Sequence, residues 1–132
     1  MPACAGMTTT QINKEKLMRY MLLLYGDEKL SEGATPEDWQ ATIEGHNAWT
    51  QEAIDRGMKP SGDALQPVAT AKTVRFENTQ PTLTTDGPFA ETKEQLGGFY
   101  IIDCESEAEA LEMAAKLPML TGSVEVRPVI EF

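Results

Sequence analysis

Two segments of the chain are apolar at every position: residues 20–25 (YMLLLY) and 99–102 (FYII). An unbroken apolar run suits a strand buried on both faces. Residues 72–77 (KTVRFE) and 124–132 (VEVRPVIEF) alternate instead. Val74 and Phe76 oppose Thr73 and Arg75, while Val124, Val126, Ile130 and Phe132 oppose Glu125, Arg127 and Glu131. Alternation marks a strand with one solvated face. Pro128 has no N–H to donate to a ladder, which assigns the last strand to an edge. Residues 82–85 are expected to extend the second strand after a turn at 78–81.

Between the strands the spacing changes to three and four. Thr35, Pro36 and Asp38 form a helix start: a hydroxyl cap, proline in the first turn and an acid three residues past the cap. The helix is expected to reach Arg56, with Gly57 as its left-handed stop. Trp39, Ile43, His46, Trp49 and Ala53 share one face. Ser106 and Glu109 have capping-box spacing and open a second helix ending before Pro118, with Ala110, Met113, Ala114 and Leu117 as its inner stripe. The segment 58–69 is rich in turn residues and is expected to hold short extended pieces.

The resulting order is β-α-β-β-α-β. Two right-handed βαβ units interlock into one antiparallel sheet of strand order 4-1-3-2, an α+β fold of the ferredoxin-like type. The two apolar runs become the central strands and the two alternating segments the edges. Two helices cover only one face of such a sheet, so its second face needs another dry partner. A second copy of the chain supplies one, giving a homodimer with sheets face to face, a dimeric α/β barrel.

Composition narrows the partners. The 132 residues suit one domain, and 41% hydrophobic residues are enough for a core without disulfides. A formal charge of −10 gives no basic footprint for nucleic acid or an anionic membrane surface. Cys4 and Cys104 form neither a CxxC pair nor a Cys/His metal spacing, so the reading is free thiols in a reducing cytoplasm, with no metal and no cofactor. Asp103 and Glu105 beside Cys104 would raise its pKa. Residues 1–17 lack periodicity and any apolar run of signal-peptide length, and are read as a flexible leader before a domain at 18–132.

The segment from Asp86 to Tyr100 (DGPFAETKEQLGGFY) resembles the signature of the DGPF proteins within the YCII-related family. The opening MRYMLLLY at 18–25 and the ending VEVRPV at 124–129 are similar to that family's first and last strands. The resemblance covers nearly all of 18–132 and implies a dimeric α/β barrel. It also implies a His/Asp pair in a cleft, for which His46 and Asp86 are the matches, and a link in many members to extracytoplasmic-function sigma factors.

Each candidate residue has two readings. His46, the one histidine, is an acid–base group by its pKa range, or a hydrogen-bonded histidine at the core margin. Asp86-Gly87 is a rigid loop aiming a carboxylate into a cleft, or a turn before strand three. Glu91, Lys93 and Arg127 line a polar substrate pocket, or are solvated surface. Gly97-Gly98 permits a bulge or a close backbone approach and fits no phosphate-binding fingerprint. Two functions stay open: a small-molecule-binding protein or acid–base enzyme with a polar cleft near the DGPF loop, and a non-catalytic regulatory protein.

Overall fold

A computed structural model of the chain describes residues 17–132. The expected leader, 1–17, lies outside the described residues but for Leu17. The elements are β1 (Met18–Gly26), α1 (Glu28–Ser31), α2 (Pro36–Asp55), β2 (Ser61–Ala64), a 3-10 turn (Val68–Thr70), β3 (Lys72–Glu77), β4 (Gln80–Asp86), β5 (Gln95–Cys104), α3 (Glu107–Ala115) and β6 (Ser123–Pro128). They build a four-stranded antiparallel sheet of order β2-β5-β1-β6 and a separate two-stranded sheet, β3-β4. This mixed architecture is compatible with a ferredoxin-like α+β fold.

The apolar runs lie at the centre of the larger sheet, where β1 and β5 pair along their length, from Met18 opposite Cys104 to Gly26 opposite Gln95. Their even-numbered side chains meet the helices. Tyr20, Leu22, Ile102 and Cys104 form the core with Trp49 and Ala53 of α2, Met58, Ala110 and Met113 of α3, and Leu117. Both helices therefore cover the same face. The odd-numbered Met21, Leu23, Phe99 and Ile101 point to the other face and are half-buried.

The edge beside β5 departs from the sequence reading. It is taken by β2, the short Ser61–Ala64, and not by residues 72–77. Lys72–Glu77 and Gln80–Asp86 form a hairpin that pairs only with itself, turning through Asn78 and Thr79, both at positive φ. Val74 and Phe76 are exposed, not half-buried. Close packing of β2 needs a missing side chain: a Cβ on Gly98 would lie 2.9 Å from the Asp63 carbonyl oxygen. Gly97 is a bulge, because Leu24 faces Gly98 while Tyr25 faces Leu96.

Local signals decide the helix ends. The Thr35 hydroxyl accepts from Asp38 N at 3.1 Å and the Asp38 carboxylate accepts from Thr35 N at 3.0 Å. At the far end Gly57 takes φ +75°, and Met58 N donates to Ala53 O at 2.9 Å. The Ser106 cap forms half of its expected box: its hydroxyl accepts from Glu109 N, but the Glu109 carboxylate accepts from Glu105 N instead of the cap. Only the C-terminal half of α2 meets the sheet, so Trp39 and Ile43 are each 51% exposed despite lying on the apolar stripe. The last strand also stops early. After Pro128 only Val129 N reaches Arg19 O, and Ile130 and Phe132 are exposed.

Candidate functional site

Three segments converge where β1 ends and β6 begins. Asp27 follows β1 and caps α1, its carboxylate accepting from Lys29 N at 2.9 Å. The stretch 92–94 leads into β5, and Thr92 is tied back by its hydroxyl donating to Glu94 O at 2.6 Å. Ser123 opens β6 and its hydroxyl contacts both Glu94 carboxylate oxygens, at 2.9 and 3.2 Å. Between them lies an open groove of about 880 Å³ whose polar lining includes Tyr25, Asp27, Lys93, Glu94, Ser123 and Glu125. Leu30 and Val124 supply apolar wall. The Tyr25 hydroxyl donates to the Glu125 carboxylate at 3.5 Å, a weak contact that a ligand can replace.

Lys93 alone of the expected pocket residues lines this groove; Glu91 and Arg127 do not. Among the described residues no carboxylate lies within 4 Å of the Lys93 ammonium. The groove thus carries three carboxylates and one ammonium, an arrangement able to hold a small molecule with both donors and acceptors.

The DGPF loop is fixed by the hairpin. Gly87 N donates to Ala71 O at 2.7 Å, the Thr73 hydroxyl donates to Gly87 O at 2.8 Å, and Arg75 Nη2 donates to Phe89 O at 2.7 Å. The Asp86 carboxylate pairs with Lys72 Nζ at 2.6 Å, with its side chain 89% exposed.

His46 has a different partner. Its Nδ1 lies 2.7 Å from the Tyr100 hydroxyl, and the two rings stack with centroids 5.8 Å apart. Trp49 packs on the other side of Tyr100, with centroids 4.4 Å apart. Sequence reasoning passed over Tyr100, which sits inside an apolar run. The available signal was its polar tip, since an inward-facing tyrosine needs a hydrogen-bond partner.

Burial holds the His46 imidazole below its ordinary value of 6.5. A base with a folded pKa below its unfolded one binds fewer protons when folded. Its neutral form therefore favours the fold above 6.5, and that contribution is lost as pH falls through 6.5 toward the folded pKa. NMR titration is expected to place His46 below its ordinary value and to find it unmoved in Asp86→Asn. A raised value that drops in this variant would instead establish the carboxylate pairing.

Cys104 is buried, and its thiol is pushed up to about 11, first by burial and then by the charges of Glu109 and Asp103. Glu105, expected to contribute, does not. In a Cys4→Ser variant, Ellman's reagent at pH 8 should leave Cys104 unmodified until denaturant is added; rapid labelling of the native protein would contradict this. Among the described residues no group of three His, Cys, Asp or Glu side chains is placed to hold a metal ion, and no helix is long and apolar enough to cross a membrane.

An antiparallel sheet backed by two helices on one face, with a polar groove at the sheet's end, defines a small domain of the α+β class. The YCII-related domain model matches residues 18–132, and the chain belongs to that family. An uncharacterized protein of Rhizobium meliloti (strain 1021) is 39% identical over 115 residues, covering 85% of this chain and 92% of that protein.

Proposed function

We propose that this YCII-related chain is a small-molecule-binding domain that works as a homodimer, with the groove beside Lys93 as its ligand site. The observation that carries the reading is the groove itself. Its volume of about 880 Å³ falls in the range of small-molecule sites, and its polar groups converge from three separate segments. The segment that leads from the DGPF loop into β5 forms one wall, so the family signature lies next to the site.

The dimer reading rests on the uncovered sheet face. Met21, Leu23, Phe99 and Ile101 form an apolar patch there, while both helices occupy the opposite face. Packing two such faces together would form the dimeric α/β barrel.

Native mass spectrometry of the gently purified chain tests the binding. Thr121 also lines the groove, and a non-covalent adduct on wild type that is lost when Thr121→Trp puts a bulky ring there is the expected result. The reading fails if wild type carries no adduct and its melting temperature ignores amino acids, amines and hydroxy acids at millimolar concentration.

A further inference from the structure

The hairpin of β3 and β4 is a two-stranded ribbon that pairs with no strand of the larger sheet. Thr73 and Thr85, opposite each other near its root, are half-buried, and its other residues are exposed. Strand β3 has six residues, which at about 3.3 Å each carry the tip about 20 Å from the root.

The two faces of the ribbon differ. Thr73 and Arg75 share one of them, and their side chains hold the Gly87 and Phe89 carbonyls at 2.8 and 2.7 Å, which straps the DGPF loop to that face. The other face carries Lys72 opposite Asp86, Val74 opposite Thr84 and Phe76 opposite Pro81. Val74 is 48% exposed and Phe76 67%. A lone two-stranded ribbon is marginal in water, and one with a bare apolar face gains from being covered.

We propose that this ribbon is a dimerisation arm whose Val74–Phe76 face lies against a second copy of the chain, each subunit giving one arm and receiving one. The inference rests on the homodimer proposed above and names a contact that the sheet faces do not include. Area is the first reason. A stable interface takes about 800 Å² from each partner. The apolar patch of the uncovered sheet face is four half-buried side chains, which expose too little to supply it alone. Val74 and Phe76 add apolar area that already stands in the open. Charge is the second reason. A chain of formal charge −10 repels its own copy over much of its surface. The arm is spared this, because Lys72 and Arg75 balance Glu77 and Asp86 in number, and on the open face Lys72 and Asp86 are paired at 2.6 Å.

Sedimentation equilibrium of the full chain, with circular dichroism to verify folding, tests the arm. The double variant V74T/F76T keeps residues that suit a strand and removes the apolar face, and is expected to weaken dimerisation by about tenfold or more. Leu111→Ala on α3, at a position 51% exposed in wild type, is the control and should leave dimerisation unchanged. NMR of a dimer with one isotope-labelled subunit reads the contact directly, as nuclear Overhauser effects from the Phe76 ring to the unlabelled subunit. A wild-type monomer at micromolar concentration would overturn the dimer itself and the arm with it. A wild-type dimer that V74T/F76T leaves equally tight, that Leu111→Ala weakens as much, or in which Phe76 shows no such effect would overturn the arm alone and give its open face to a different occupant.

Discussion

Trp49→Ala is expected to destabilise the chain by about 3–5 kcal/mol, the range for deleting a buried aromatic side chain. Trp49 is 4% exposed and bridges α2, the sheet and α3. Its ring packs on Tyr100, and its indole Nε1 donates to Met113 O at 2.8 Å. Alanine leaves a cavity at the junction of both helices, where relaxation of one element is limited by the others. Trp49→Phe separates the contributions. It keeps most of the volume and loses the hydrogen bond, and Lys116 N still donates to Met113 O at 3.2 Å. That variant should therefore lose about 0.5–1.5 kcal/mol beyond its repacking cost. Denaturant unfolding followed by far-ultraviolet circular dichroism, at fixed protein concentration because any dimer adds to stability, provides the comparison. A loss below about 1 kcal/mol for Trp49→Ala would mean that the core does not depend on this junction.

The features that sequence reading found correctly are those decided by near neighbours. Thr35, Pro36, Asp38 and Gly57 specify the ends of α2 because capping bonds span three to five residues. The central strands were legible because YMLLLY and FYII have no charged position, their even-numbered side chains being in or against the core and their odd-numbered ones half-buried. A short extended piece within 58–69 was legible, but not its place as the second strand of the larger sheet. KTVRFE has every property of a strand, but alternation does not name a partner, and its partner is the adjacent Gln80–Asp86. SGDA has low strand propensity, and its place in the sheet comes from pairing with residues 98–101, nearly forty positions away. The candidate site divides in the same way. Lys93, which lines the groove, was singled out as part of a mixed-charge cluster within the DGPF segment. Tyr25 and Ser123 were missed because the groove exists only once three distant segments meet. His46 was placed correctly on the inner side of its helix, but the hydroxyl that meets it belongs to the opposite layer.

Gly122 joins the fold to the groove, and Gly122→Ala is the substitution expected to disturb both. Gly122 has φ +103°, a conformation that side-chain-bearing residues rarely adopt. Space is lacking as well: a Cβ there would lie 2.2 Å from the Tyr25 carbonyl oxygen and 3.2 Å from Gly26 Cα. The obstructing atoms are backbone of β1, so no side-chain rotation relieves the clash. Either β6 shifts away from β1 or residue 122 changes conformation. Both outcomes move Ser123, whose hydroxyl meets Glu94 across the groove. Backbone strain and overpacking together should cost on the order of 2–5 kcal/mol. The neighbouring exposed Thr121→Ala, which alters neither, should stay within about 0.5 kcal/mol of wild type. Thermal unfolding measures the first effect. Amide hydrogen exchange measures the second: protection should fall along the β1–β6 ladder at residues 123–126 and persist at 99–102, where β5 has its own pairing with β1 and β2. Equal melting temperatures for the two variants would show that the Gly122 turn accepts a side chain. The close approach of β6 to the end of β1 would then not be what shapes the groove.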